Sequence, residues 1–300
     1  MSTPKKHHII PKVYLKQFQI DNDKNKNFVF CCDFSYKHNQ KPVRIGIDHK
    51  IFKQKNFYFD KRLEDPYSIE KFLGQTFEST YNNLIEAISE EVSPPEKAVT
   101  GFMGWLFQTK LRSPALRKRI IGQLTVMYDV VINNDRIELN DGERDALNKH
   151  IEQRAKEIQL EPFSDMEKAH KILGLYITGT NVKQWRVLKS SPELRFWTND
   201  NPGFSPNFDT KFANDFPYHD VQFNFQSFIY FVLSPKYCLE ISPFFAGTPL
   251  TVNALNMKIE FEQASSELIH FINKGVFHTK DNLLISNSLK SLNENLVWDS

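Results

Sequence analysis

The spacing of apolar residues changes twice along the chain, and this limits the fold more than any other feature of the sequence. Residues 66–178 carry apolar side chains at helical spacing, whereas the segments on either side carry short alternating or continuous apolar runs typical of strands. Strands that flank a block of helices, rather than alternating with them, indicate the α+β class. We therefore expect a helical middle that packs against a mostly antiparallel sheet built from N- and C-terminal strands.

A Ser-Pro pair divides the helical middle. Pro114 interrupts one helix, and Ser113 is positioned to cap the next. The pattern predicts five helices in this region, over 66–91, from Ser93 to Pro114, from Pro114 through Val131, over 141–159 and over 164–178. Two more helices are predicted towards the C-terminus, over 251–273 and over 280–295.

Short apolar runs predict the strands, and we expect the first two strands to form a hairpin. The predicted strands span residues 28–33, 43–47, 185–189, 194–198, 221–225, 228–233 and 238–241. We expect a single domain over residues 1–300. The alternative is a subdivision near residue 180, with a mainly helical part and an N-terminal hairpin over 1–180, and a sheet with C-terminal helices over 181–300.

The distribution of charge is uneven, although the net charge of the chain is only +2. Residues 1–62 contain 14 lysines and arginines against 5 aspartates and glutamates, a net charge of +9. A second basic cluster lies within residues 110–119 and includes Lys110 and Arg117. Clustered cations attract phosphates, so these two segments predict a nucleic-acid partner. The alternative is a solvated lysine-rich face that aids solubility.

Cysteine usage and hydropathy predict the location of the protein. The three cysteines cannot form a disulfide framework. The longest apolar run, Phe228–Leu233, is far shorter than the ~20 residues of a membrane span, and the first residues lack the apolar stretch of a signal peptide. We therefore expect a cytoplasmic protein with no membrane partner.

His8 is the first candidate for chemistry. It belongs to an adjacent histidine pair on an extended segment, where neighbouring side chains point to opposite faces, so at most one of the pair serves a given metal or substrate. A catalytic or ligand role for His8 stands beside the alternative that it only forms a hydrogen bond within the fold.

Two carboxylates on the 66–91 helix form the next candidates. Glu70 falls within about 40° of the centre of the apolar stripe, and Glu78 lies two turns further on at its edge. A carboxylate on a core face must be paired, hydrogen-bonded or bound to metal. Glu70 is therefore a candidate catalytic residue, and both are candidate metal ligands. The alternative is a structural salt bridge.

Gln108 and Arg112 lie four residues apart at the end of a predicted helix. Arg112 can present its planar guanidinium to a phosphate or to Glu70, as a catalytic residue, and Gln108 is a candidate binding residue. The structural alternative is that Arg112 complements the dipole at the C-terminus of the helix.

Asp200 and Asn201 follow a predicted strand at a tight turn that continues into Pro202-Gly203. A strand end holds a polar side chain rigidly, so Asp200 is a candidate catalytic residue and metal ligand, and Asn201 a candidate binding residue. The alternative is ordinary turn chemistry, because Asp and Asn side chains bond to their own backbone. The sequence contains no phosphate-binding loop, nucleophile elbow, zincin motif or zinc-finger spacing.

Taken in order, these segments resemble a bacterial and phage family known as domain of unknown function 4238. The resemblance covers nearly the whole chain and rests on His8-x-x-Pro11-x-x-Tyr14-Leu15-x-x-Phe18, Asn56-Phe57-Tyr58, Ile69-Glu70 with Glu78, Gln108-x-x-x-Arg112-Ser113-Pro114, Trp197–Pro202, Leu233-Ser234-Pro235, Cys238-Leu239, Val252-Asn253, Leu255-Asn256 and Ala264. Ser113 and Asn199 are mild departures from the family pattern. The resemblance implies a single domain and carries no agreed activity.

The sequence leaves two functional hypotheses open. In the first, Asp200 with Glu70 or Glu78, and with His8, holds Mg²⁺ or Mn²⁺ for phosphodiester hydrolysis, in a bacterial defence or toxin setting. Arg112 would then neutralise charge on the phosphate. In the second, the protein is a non-catalytic module that binds nucleic acid or a protein, and its polar motif residues form a structural network.

Overall fold

The computed structural model confirms the α+β class. It describes residues 6–21, 27–35, 41–69, 78–164, 171, 174, 184–208, 217–223, 226–243 and 259–295. The described helices are α1 (Lys12–Leu15), α2 (Glu78–Ser89), α3 (Glu96–Leu111), α4 (Pro114–Asn134), α5 (Asp141–Ser164), α6 (Ser266–Thr279) and α7 (Leu289–Asn295).

The strands form three sheets and not one, and all but one of the strand pairs are antiparallel. The described strands are β1 (Lys6–His8), β2 (Phe28–Asp33), β3 (Val43–Gly46), β4 (Lys53–Lys55), β5 (Gln184–Lys189), β6 (Thr198–Asn199), β7 (Phe204–Pro206), β8 (Tyr218–Asp220), β9 (Ile229–Val232), β10 (Tyr237–Ser242), β11 (Glu260–Gln263) and β12 (Leu283–Ser286). The orders are β1-β4, β11-β5-β10-β9-β7-β8 and β3-β2-β12-β6.

The four-stranded sheet joins the two ends of the chain. β2 and β3 form the predicted hairpin, and β12 pairs with β2 on one side and β6 on the other. The prediction of a helix over 280–295 is therefore wrong for its first half, because the apolar run Leu283–Ser286 is a fully buried inner strand. Its second half is the helix α7.

The structure corrects several further predictions. Of the predicted strand 194–198, only Thr198 lies in a strand, β6. The predicted break between helices at 159–164 is absent, because α5 continues to Ser164.

Residues 251–258 of the predicted helix over 251–273 lie outside the described residues. The prediction is wrong at Glu260–Gln263, which form β11 in a parallel pair with β5, and it is confirmed at residues 266–273, which belong to α6. Residues 221–223 of the predicted strand 221–225 form no strand, because the backbone N–H groups of Val221 and Gln222 donate to side-chain oxygens of Asp220 and Ser205. Residues 224–225 lie outside the described residues.

The predicted Ser-Pro boundary is confirmed. Ser113 is the N-cap of α4, and its Oγ accepts a hydrogen bond of 3.1 Å from the backbone N–H of Leu116. Asn140 and Glu143 form a reciprocal capping box at the start of α5. α4 and α5 then pack against each other as a helical hairpin. Of the described helices, none has the length and hydropathy needed to cross a membrane.

An aromatic cluster connects the helices to the six-stranded sheet. The rings of Tyr81 and Trp105 are stacked with centroids 4.3 Å apart, and Tyr14 and Phe231 pack against Trp105. Both tyrosine hydroxyls are buried, and they donate to the carbonyls of Val232 and Leu233 at the end of β9. The core therefore fixes the N-terminal segment and α2–α3 against this sheet.

Candidate functional site

A basic groove runs along the side of the molecule where the N-terminal segment meets α4 and α5. Its central cavity has a volume of about 760 Å³ and is lined by Lys53, the first two turns of α4, one face of α5, Asp200 and the Asp281–Leu283 segment. This volume is within the range of ~300–1,000 Å³ that is typical of ligand cavities.

Two smaller cavities adjoin the central one and share different lining residues with it. A cavity of about 500 Å³ shares Asp33, Ser35, Ile51 and Lys53 with it, and a cavity of about 240 Å³ shares Gln153 and Lys156. We refer to the three together as the basic groove. Its basic side chains are Lys6, Lys50, Lys53, Lys55, Lys61, Arg62, Arg117, Lys118, Lys149 and Lys156, against acidic Asp33, Asp60, Glu152, Glu157, Asp200 and Asp281.

Asp200 lies in the wall of the groove, and its carboxylate fixes the backbone there. Oδ1 accepts from the N–H of Asp281 at 2.8 Å, and Oδ2 accepts from the N–H groups of Asn282 at 2.8 Å and Leu283 at 3.1 Å. Burial raises the pKa of Asp200 to about 7, although the three N–H donors act in the opposite direction. Asp200 therefore holds the segment that leads into β12.

Asn201 and Lys110 meet in a buried polar cluster behind this wall. Lys110 Nζ donates to the backbone carbonyl and Oδ1 of Asn201, both at 3.0 Å, and to the carbonyl of Gly203 at 2.7 Å. It also forms an ion pair with Asp220. Burial lowers the pKa of Lys110, while Asp220 opposes this shift. Of the predicted basic cluster, Lys110 is thus buried and lines none of the groove's cavities.

Arg112 and His8 are joined through Tyr58. Arg112 Nε donates to the Tyr58 hydroxyl at 2.8 Å, and that hydroxyl donates to the His8 carbonyl at 3.2 Å. The imidazole of His8 lies near Asp48, with Nε2 3.5 Å from Oδ1. Burial, followed by the charge of Lys53, lowers the pKa of His8 to about 4. Arg112 therefore clamps the N-terminal segment to the end of α3.

The remaining predicted residues are a buried amide and two glutamates. Both polar atoms of the Gln108 side chain are buried without a hydrogen-bond partner. Glu70 lies outside the described residues. Glu78 is the first residue of α2, and the structure describes its backbone only. Among the residues that the structure describes, no three His, Cys, Asp or Glu side chains are arranged to hold a metal ion. The ligand set of Asp200, Glu70 and Glu78 stays a prediction.

The groove brings together two predicted residues, Asp200 and Arg117, with cations that the sequence did not single out. Lys149, Gln153 and Lys156 line the groove from α5, at spacings of four and three residues that place them on one helical face. That spacing is visible in the sequence, but it gives no indication that this face lines the same cavity as Asp200.

The chain matches one family model over most of its length. A model described as "Protein of unknown function (DUF4238)" matches residues 6–290. The chain belongs to the DUF4238 family. The match confirms the predicted resemblance, and it includes every candidate residue and every side chain of the basic groove. No curated protein and no solved structure matches this DUF4238 chain.

Proposed function

We propose that this protein binds a nucleic-acid strand in the basic groove. The observation that carries the proposal is the meeting of two basic segments that are far apart in the sequence. Lys50, Lys53 and Lys55 come from the basic N-terminal quarter, and Arg117 and Lys118 come from the cluster at 110–119. A groove lined by cations along its length concentrates a polyanion and supplies salt-dependent affinity.

The shape and lining of the groove favour a single strand. Apolar side chains of Ile9, Ile51, Phe57 and Ile121 line the central cavity between the cations. Unstacked bases contact apolar and aromatic surface while their phosphates contact lysine and arginine, and this division suits a strand and not a closed duplex.

Three lysines of the groove have no ionic partner among the described residues, and these unpaired positive charges also favour a nucleic-acid strand. Lys50, Lys55 and Lys149 are exposed and form no ion pair among the described residues. They line the outer and central parts of the groove, where a strand would pass. A cytoplasmic location belongs to this proposal, because the three cysteines are buried free thiols and nucleic acid is present there.

Binding of short single-stranded RNA and DNA, measured by fluorescence anisotropy over a salt series, tests the proposal. We expect Lys50→Glu/Lys55→Glu/Lys149→Glu to weaken binding about tenfold or more and to reduce the salt slope by about 2, since each phosphate contact contributes ~0.7. The matched control is Lys97→Glu/Lys236→Glu/Lys274→Glu, which changes the net charge equally at exposed sites outside the groove. Equal losses in both variants, or no binding by the native chain, would reject the proposal.

A second candidate function is metal-dependent phosphodiester hydrolysis at the same groove. The observation that favours it is that Asp200, one of the predicted ligands of Mg²⁺ or Mn²⁺, lines the cavity beside Arg117 and Lys118. In this function the metal would polarise a phosphoryl group and lower the pKa of a bound water. The setting would be the bacterial defence or toxin role that the sequence suggests.

A cleavage panel separates hydrolysis from binding alone. Single-stranded RNA, tRNA and DNA are incubated with Mn²⁺, Mg²⁺ or EDTA, and Asp200→Asn and Glu78→Gln are prepared identically. Hydrolysis predicts metal-dependent cutting that both variants lose while circular dichroism shows them folded. Binding that survives EDTA, without cutting in any metal, would leave the groove as a binding site only.

A further inference from the structure

Two cations in the central cavity hydrogen-bond only to neutral groups among the described residues. Arg117 donates from Nε to Gln159 Oε1 at 2.6 Å and from Nη2 to the carbonyl of Phe57 at 3.1 Å, and Lys156 Nζ donates to the carbonyl of Asn56 at 3.1 Å. All three acceptors are neutral, and no described carboxylate forms an ion pair with either cation. The two side chains are bonded to consecutive carbonyls, and the charge of Arg117 acts on Lys156.

The local backbone supports this arrangement. Asn56 has a φ of 53°, a left-handed conformation that asparagine tolerates better than most residues. The guanidinium of Arg117 also lies 3.8 Å from the centroid of the Phe57 ring. Both cations are therefore oriented by the turn at residues 56–57 before any ligand arrives.

The electrostatic environment of the pair is unfavourable without an anion. Burial lowers the pKa of Arg117 to about 10. Burial, followed by the charge of Arg117, also lowers the pKa of Lys156, and the charge of Asp60 opposes this shift only in part. The first turns of α4 contain no acidic residue, and Pro114, Arg117 and Lys118 from them line the cavity. Cations at the positive end of a helix dipole are destabilising, whereas an anion there is stabilising.

The geometry points to Arg117 and Lys156 as an anchor for a phosphate monoester, the group found at the end of a nucleic-acid strand and on free nucleotides. This rests on the proposed function, since it names the part of the strand that the central cavity holds. A monoester carries a charge of −1.5 to −2 at neutral pH, which matches two cations and a helix N-terminus better than the single charge of a phosphodiester does.

The test compares single strands that differ only in their ends: a 5′-phosphate, a 3′-phosphate or hydroxyls. We expect one phosphorylated strand to bind the native protein about tenfold more tightly than the hydroxyl strand, because charge-assisted hydrogen bonds to phosphate are strong. A nucleoside monophosphate, as competitor, tests the free nucleotide as a source of the same group.

The decisive variant is Lys156→Gln, whose amide can still donate to the Asn56 carbonyl. We expect it to lose the preference for a phosphorylated end. It should weaken binding of the hydroxyl strand only by the two- to threefold (~0.5 kcal/mol) that the loss of one groove cation predicts. Its melting temperature should equal or exceed that of the native protein, because a half-buried like charge is removed. Lys149→Gln is the matched control, with the same change in charge on the same helix face, and should keep the preference.

The phosphate anchor and strand binding in the groove can each fail without the other, and different results test them. A native protein that binds phosphorylated and hydroxyl strands equally, through the groove lysines, overturns the anchor and leaves the strand proposal standing. Inorganic phosphate that raises the melting temperature of the native protein above a chloride control, but not that of Lys156→Gln, supports the anchor even if no strand binds. Loss of the end preference in Lys149→Gln to the same extent as in Lys156→Gln would also overturn the anchor.

Discussion

Lys110 Nζ and Asp220 Oδ1 lie 2.7 Å apart, and both side chains are largely buried, with exposed fractions of 8% and 14%. Arg119 contacts the other oxygen of the same carboxylate, so the pair forms one side of a small network. Burial alone would raise the pKa of Asp220, but Lys110 and Arg119 together hold it below its usual value. A lysine from a basic sequence cluster is thereby used to fix β8 and the Asn201–Gly203 turn to α3.

Breaking this pair should be costly. We expect Lys110→Met to lower the free energy of unfolding by about 3 kcal/mol, because it leaves a buried carboxylate with one cation in place of two, and two carbonyls without a donor. Urea denaturation measures the change. Lys189→Met is the control, since it breaks the partly exposed pair with Glu91 and should cost less than about 1 kcal/mol. Equal effects in the two variants would contradict this interpretation of the network.

Asp200 should stabilise the Asp281–Leu283 segment, whose backbone it holds. Asp200→Ala removes the acceptor for three backbone N–H groups at Asp281, Asn282 and Leu283, and we expect a loss of about 3 kcal/mol in unfolding free energy. Hydrogen exchange should accelerate at these three amides before it does so in α3. Asp129→Ala, an exposed carboxylate on α4, should leave both measurements unchanged.

The same residue should give a characteristic pH dependence. The pKa of Asp200 is raised from 3.8 to about 7 in the folded state, so between about pH 4 and pH 7 the folded protein binds more protons than the unfolded chain. Its contribution is fully present below pH 4 and is lost as the pH rises through 7. The stability difference between the native protein and Asp200→Asn should therefore shrink over this range in thermal or urea unfolding.

The pH dependence of stability that His8 contributes should have the opposite sign. Its pKa is lowered from 6.5 to about 4, so the unfolded chain takes up the proton first as the pH falls. Its contribution is present above pH 6.5 and is lost as the pH falls towards 4. The stability difference between the native protein and His8→Gln should grow as the pH rises from 4 to 6.5. A difference that does not depend on pH would show that folding does not lower the pKa of the imidazole.

The turn after Asn201 should tolerate no side chain at Gly203. Gly203 has a φ of 82°, and a Cβ there would lie 2.7 Å from the Phe231 ring. We expect Gly203→Ala to lower the unfolding free energy by about 2–3 kcal/mol, since strain and overpacking add. Gly122→Ala is the control, because no atom lies within 4 Å of its Cβ position and the substitution favours helix. Calorimetry of the two variants checks the contrast.

Local pattern was sufficient for much of the fold. The α+β class, the β2–β3 hairpin and the boundary at Ser113 and Pro114 depend on neighbouring residues, and the structure confirms each of them. The basic segments are also readable directly, because charge is a property of composition. Family membership belongs to this group, since it rests on the order and spacing of short motifs.

Tertiary contacts decided the rest. β12 lies between strands that are more than 80 and 250 residues away in the chain, and no local periodicity distinguishes its apolar run from a helix. Lys110 and Arg117 are both basic residues of one cluster, yet one is buried against Asp220 and the other lines the groove. The sequence determined which charges are present. Only packing decided which of them are neutralised inside the fold and which remain to meet a ligand.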